Sequence, residues 1–193
     1  MKKSISWLRI IKIFLPFVKK YKLSFIVVLL AYGLGVLADN IIAPFLIRKI
    51  IDTLSSGSVS AFVQEEAYKY LFLVLGTLIT TRIMFVIGDY TITYFQNKVL
   101  EDLHNFSFAE ILKHSYQFFI NTFSGSLVKL RSRFVSSFED ICDTFVYNIW
   151  VSLVKVAGTF TVLFYLSRVL SMVFLVWSVI FISVSYYFAR KKI

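Results

Sequence analysis

The chain has 193 residues, 58% of them apolar, a formal charge of +10 and a mean hydropathy of +0.76. Soluble domains carry roughly 45–50% apolar residues, so this composition excludes an ordinary soluble domain and points to a bilayer. The positive charge comes without a Gly-rich basic tail or an RNA-binding aromatic signature, so it fits cytoplasmic loops and anionic lipid better than nucleic acid. Cys142 is the only cysteine, which excludes an intrachain disulfide.

Residues 1–22 form a basic amphipathic N-terminal segment. Lys2, Lys3, Arg9, Lys12, Lys19, Lys20 and Lys22 alternate with Trp7, Leu8, Ile10, Ile11, Phe14, Leu15 and Phe17. Such a helix is expected to lie along the membrane surface, with Pro16 kinking or ending it. The charged lead is too long for a signal peptide, and further spans follow. The first span covers about residues 23–51 and is interrupted by Asp39, Asn40 and Pro44, where a bend is expected. The clearest loop is 53–60, containing Ser55, Ser56, Gly57 and Ser58.

The second span is about residues 70–92. From Ala67 to His114 there is no proline. A helix of that length would be about 70 Å long, against roughly 30 Å of hydrocarbon, so the excess has to project from the membrane. Apolar residues Phe95, Val99, Leu103, Phe106 and Ile111/Leu112 recur at helical spacing. So do Leu127, Leu130, Phe134, Phe138, Ile141 and Phe145. Between them lies SYQFFINTFSGS, rich in turn and cap residues. Residues 93–144 therefore read as a hairpin of two long helices joined at a short tip. The third span is about 145–166, with one charge, Lys155. Ser167–Arg168 is a very short link to a fourth span at 169–188, which carries no charge. The fold class predicted is an all-α membrane protein: four transmembrane helices with long cytoplasmic helical extensions.

Lysines and arginines set the orientation. Fifteen lie in the N-terminal segment, the hairpin arms and the C-terminus, and four (Arg48, Lys49, Lys69 and Arg168) on the other side. Both termini and the hairpin are expected in the cytoplasm, most simply across a plasma (inner) membrane. Asn105–Phe106–Ser107 has the form of a glycosylation sequon, but this topology keeps it cytosolic.

No phosphate-binding GxxxxGK[ST] loop, HExxH, GxSxG or cysteine cluster occurs in the sequence. His104 and His114 lack a carboxylate or cysteine at ligand spacing, so no metal is expected. Glu101, Asp102 and Glu110 sit among basic residues and read as helix surface rather than acid–base machinery. No catalytic residue is predicted. Asp39, Asn40, Arg82, Asp89 and Lys155 are polar within the apolar runs, and residues of this kind face a bundle interior or an aqueous cavity. They read either as a substrate or ion pathway or as structural pairs, such as Asp39 with Arg82 or Asp89 with Lys155.

At the hairpin tip the sequence resembles the transmembrane domain of ATP-binding cassette (ABC) exporters. That family has an aromatic pair, then Gly-Glu, then an Arg-Leu-x-x-Asp-Val-x-x-Ile run. Here Tyr116-Gln117-Phe118-Phe119, Gly125-Ser126 and Arg133-Phe134-Val135-Ser136-Ser137-Phe138-Glu139-Asp140-Ile141 correspond. Upstream, Pro44-Phe45-Leu46-Ile47-Arg48-Lys49-Ile50-Ile51-Asp52 is similar to the family's end of span one, and Arg82 falls near the outer end of span two. Ser126 and Ser137 stand where the family has Glu and Asp, and Gly125 to Arg133 is longer by about three residues.

The resemblance implies a partial transmembrane domain over residues 23–193, with four of the family's six spans and no nucleotide-binding domain. Truncation, gene splitting or a partial reading frame would each produce this, and DNA beyond codon 193 encoding two more spans and a GK[ST] loop would decide for an exporter over a self-contained scaffold. It also implies a coupling segment of Ser115, Tyr116, Gln117, Phe118, Phe119, Ile120, Asn121 and Gly125. The implied partners are a nucleotide-binding domain, the remaining spans and a second transmembrane subunit in a homo- or heterodimer. ATP and Mg would sit on that domain, leaving this chain with no cofactor and no enzymatic activity of its own. The competing expectation is a self-contained four-span adaptor or scaffold whose hairpin docks a partner.

Overall fold

The computed structural model describes residues 7–55, 61–114, 118 and 124–191. Those residues are almost wholly helical, and no strand occurs among them. Helix α1 covers Trp7–Lys20 and α2 covers Lys22–Leu37. A π-helical segment, Ala38–Ile42, leads into α3, Ala43–Ser55. Helix α4 is a single rod over Ala61–Leu112. Helix α5 covers Ser124–Asp143, a second π segment covers Thr144–Trp150, and α6 covers Val151–Leu166. Helix α7 covers Arg168–Lys191. The expected loop at 53–60 is cut by the end of α3, and residues 56–60 lie outside the described residues.

Four helical stretches are long and apolar enough to cross a membrane: Lys22–Ser55, Glu65–Leu112, Gly125–Leu166 and Arg168–Phe188. Each contains one of the spans expected from hydropathy. The 52 residues of α4 make a rod of about 78 Å at 1.5 Å per residue, more than twice a hydrocarbon core.

The two prolines behave differently. Pro44 cannot donate to the carbonyl four residues back. The helix accommodates this by lengthening one turn just ahead of it, where Ala43 N–H donates to Ala38 O in the i→i−5 pattern. Pro16 does not end α1, which runs on to Lys20. Pro16 and Lys12 are both exposed, so the carbonyl left without a donor can be solvated.

The link between α6 and α7 is one residue, Ser167. Its N–H donates to Leu163 O at 2.8 Å and its C=O accepts from Ser171 N–H at 3.1 Å, so it closes one helix and opens the next. Its hydroxyl accepts from the Leu170 N–H at 3.5 Å, a long version of the N-cap bond.

The chain divides into two compact units. One comprises Met1–Leu34 with Arg82–Val151, the other Gly35–Thr81 with Ser152–Ile193. The first holds the main buried cluster: Phe14, Val28, Tyr32, Ile92, Phe95, Val99, Leu103, Val135, Phe138, Cys142 and Val146. In the second, α6 passes close to the first π segment. A Cβ at Gly158 would lie 2.6 Å from Ile41 Cδ1 and 3.0 Å from Leu37 Cδ2, so glycine sets how near the two helices come.

Replacing Ser167 by Ala should lower stability by about 0.5–1 kcal/mol and by Gly less, since Gly is tolerated at N-caps. Thermal unfolding of the detergent-solubilised chain should show that order, and an Ala variant as stable as the parent would remove the capping role.

Candidate functional site: the hairpin and its root

Beyond the second span, α4 has to bury its apolar residues without lipid. Phe95, Val99 and Leu103, four residues apart on one stripe, have no accessible surface. Across from them α5 supplies Val135 and Phe138, followed by Cys142, and the second π segment supplies Val146. The Phe95 and Phe138 rings lie 6.3 Å apart. Each side chain of this size buried completely contributes about 1.5–3 kcal/mol, an upper figure because the unfolded chain is itself partly collapsed.

Polar contacts fix the register. The Gln96 amide donates to Asp143 Oδ1 at 2.6 Å, and the Arg131 guanidinium donates to the His104 carbonyl at 3.3 Å. Arg131 also lies over the Phe108 ring at 5.6 Å.

The first arm packs as expected at Phe95, Val99 and Leu103, but Phe106 and Leu112 are exposed, and the second arm is partly shifted. Leu127, Phe134 and Phe138 turn inward, whereas Leu130, Ile141 and Phe145 are exposed. Val135, Cys142 and Val146 take the inner positions instead. Selecting the largest apolar residue in each turn misjudges the stripe, because a close seam between two rods favours smaller side chains. Phe145 meets Phe25 of α2, with ring centroids 6.0 Å apart.

Helix α1 straps both arms. Phe14 is buried between Phe134 and Phe138, with centroids 5.4 Å from each, and Phe17 meets Phe106 edge-on at 5.6 Å. At its C-terminal end Lys20 donates to both oxygens of Asp102, at 2.9 and 2.7 Å. That hydrogen bond raises the Lys20 pKa and lowers that of Asp102, so the pair stays charged across the neutral range. The pair is exposed enough to orient rather than to stabilise much. The expected membrane-surface helix thus gives Phe14 and Phe17 to protein and keeps Ile13 and Leu15 exposed.

At the hairpin root a polar cluster sits within apolar helices. The Tyr32 hydroxyl donates to Asp89 and lies 3.2 Å from the Tyr147 hydroxyl. The Tyr32 and Tyr147 rings meet edge-on at 5.3 Å. One turn on, Trp150 Nε1 donates to the Leu29 carbonyl at 2.9 Å, and its indole lies 3.6 Å from where a Cβ on Gly33 would stand. Tyr147 and Trp150 both belong to the second π segment, a distortion often found where side chains are re-aimed. Gly88 makes room for this cluster, since a Cβ there would come within 2.9 Å of the Tyr32 ring.

Among the polar residues singled out from sequence, Asp89 has the hydroxyl of Tyr32 as its partner, in place of the suggested Lys155. The Asn40 amide donates to the Val36 carbonyl at 3.0 Å. Asp39, Arg82 and Lys155 present exposed side chains. In the coupling segment, Ser115, Tyr116, Gln117, Phe119, Ile120 and Asn121 lie outside the described residues. Phe118 is half-buried, its ring 4.3 Å from that of His114, and Gly125 is exposed at the start of α5. Sequence reasoning missed Tyr32, Gln96, Asp143, Tyr147 and Trp150. Tyr32 alone carried a signal, because a phenol inside an apolar run requires a partner and Asp89 was available. No group of His, Cys, Asp and Glu able to hold a metal occurs among the described residues.

Four membrane-crossing helices, two of them extended into a packed hairpin, define an α-helical integral membrane protein. The chain belongs to the ABC transporter transmembrane region family, whose model matches residues 24–192. It is 24% identical over 192 residues to YgaD of Bacillus subtilis (strain 168), an ATP-binding/permease protein whose name assigns it to multidrug export. The match covers 95% of this chain and 32% of YgaD, so the chain spans about a third of that relative's length.

Gly88→Ala should cost about 1–3 kcal/mol by overpacking Tyr32. Tyr32→Phe should cost about 1–3 kcal/mol through loss of the bond to Asp89. In a Tyr32→Leu background the added methyl at residue 88 should cost much less, because the ring it strikes is gone. Unfolding midpoints of the single and double variants check this, and strictly additive shifts would contradict the contact.

Proposed function

We propose that this chain forms part of the translocation pathway of an ATP-driven exporter and receives the motor's motion through the hairpin of residues 93–144. The observation that carries this reading is the closed seam between the hairpin arms. A pair of helices packed through Phe95, Val99, Leu103, Val135 and Phe138, and strapped by Phe14, can transmit displacement without splaying. Membership of a transporter family gives such a rod a task.

In this reading Ser115 to Asn121, with Gly125, form the coupling segment, and Phe118 and Phe119 seat in a groove of a nucleotide-binding domain. Aromatic anchors of this kind concentrate interface energy. That domain holds ATP and Mg, and the present chain contributes no hydrolytic group. The complete pathway draws on further spans and on a second transmembrane subunit. Both termini and the hairpin lie in the cytoplasm, in accord with the excess of Lys and Arg there. Asp39 and Asn40 line the cavity, and the lengthened turn before Pro44 helps to aim them.

In the complete transporter, Phe118→Ala with Phe119→Ala should leave basal ATP hydrolysis within about twofold. Transport per ATP should fall by about tenfold, the equivalent of roughly 1.4 kcal/mol of lost coupling. Unchanged transport per ATP would contradict the assignment of the tip. Placement is testable separately. Cys142 is buried, so a cysteine put at Phe118 can be read over a low background. A membrane-impermeant maleimide should label it from the cytosolic side, and labelling only from outside would overturn the orientation.

A further inference from the structure

The unit formed by Gly35–Thr81 and Ser152–Ile193 contains a cavity of about 220 Å³ that shares Asn40 and Pro44 with the proposed transport role and has an apolar groove of its own. Its apolar wall comes from Ile41 and Phe45 on one side and Val162, Leu163 and Leu166 on the other. Pro44 also lines it, directly after the π segment. Asn40, Thr159 and Arg48 add polar groups.

Two cations lie against the cavity, and a third is close in sequence. Arg48 belongs to the lining, and Lys49 lies over the Phe45 ring at 5.9 Å. Arg168 follows Leu166, the last lining residue of α6, by two positions. Arg48 approaches Asp52 through Nε at 3.6 Å, beyond hydrogen-bond range, and both side chains are about 60% exposed. The remaining guanidinium N–H groups are therefore available as donors in the fork that suits a phosphate. With one crossing before Arg48 and three before Arg168, these cations emerge on the same membrane face. They are three of the four Lys and Arg residues that the charge count assigns to the side with few cations. Arg48 in the lining and Lys49 over a lining ring put two cations beside this apolar groove on the face with few cations, and that arrangement suits an anionic partner.

The geometry points to a bound anionic phospholipid, its acyl chain in the Ile41–Leu166 groove and its phosphate on Arg48, with Lys49 and Arg168 beside it. Along the first span the groove residues Ile41 and Phe45 come first and Arg48 follows about one turn later, nearer the end of the span, which is the order of tail and headgroup in a leaflet. The guanidinium fork of Arg48 suits a lipid phosphate through directed hydrogen bonds, and one exposed ion pair contributes up to about 1 kcal/mol, enough to discriminate by about fivefold.

The test is native mass spectrometry of the full chain released from nanodiscs of mixed phosphatidylglycerol and phosphatidylcholine. The parent chain should retain phosphatidylglycerol over phosphatidylcholine by about fivefold or more. Arg48→Gln should abolish the preference, Arg48→Lys should keep part of it, and Leu163→Trp, which fills the groove, should release both lipids. Equal retention of the two lipids by the parent, or an undiminished preference in the folded Arg48→Gln chain, would overturn the assignment. The comparison within the parent stands whether or not any variant folds.

Discussion

Two helices that leave a bilayer lose the lipid that covered their apolar faces and have to cover each other. In this chain that constraint falls on Phe95, Val99 and Leu103, which meet Val135, Phe138 and Cys142. The seam makes one mechanical body out of two rods. It also explains why α1 packs where it does. Phe14 completes a cluster that two antiparallel rods leave open on one side, and the Lys20–Asp102 pair then fixes how far α1 can slide.

The same unit carries its polar groups at the root of the hairpin. Tyr32, Asp89 and Tyr147 come from three different helical stretches, and Gln96 and Asp143 join the two arms nearby. Each donor or acceptor there would be costly to leave unpaired among apolar helices. A satisfied cluster at that position fixes register along the rods, whereas the aromatic and aliphatic seam supplies the bulk of the cohesion. The two contributions are complementary. Hydrophobic burial is nearly indifferent to a small slide, and hydrogen bonds are not.

Much of this arrangement was readable from the residues in order. The spans showed as long apolar runs, and the hairpin as helical periodicity continuing past any possible bilayer thickness. Pro44 announced a distortion, although not that it would be a lengthened turn. What could not be read was which face of α5 turns inward. Leu130, Ile141 and Phe145 are more apolar than Cys142, yet Cys142 fits a close seam and they remain outside. Pro16 does not stop its helix, because an exposed helix can leave one carbonyl to solvent. The Tyr32–Asp89–Tyr147 cluster joins residues 57 and 115 positions apart, a pairing that only tertiary structure creates.

Hydrogen exchange of the intact protein in nanodiscs tests the central claim most directly. If the arms form one packed body, amides of residues 95–103 and 135–142 should exchange together and slowly. Phe14→Ala should speed both stretches by a similar factor, since Phe14 touches the cluster between them. Rapid exchange in either arm of the parent, or a Phe14→Ala effect confined to α1, would show that the arms move independently and would contradict the account.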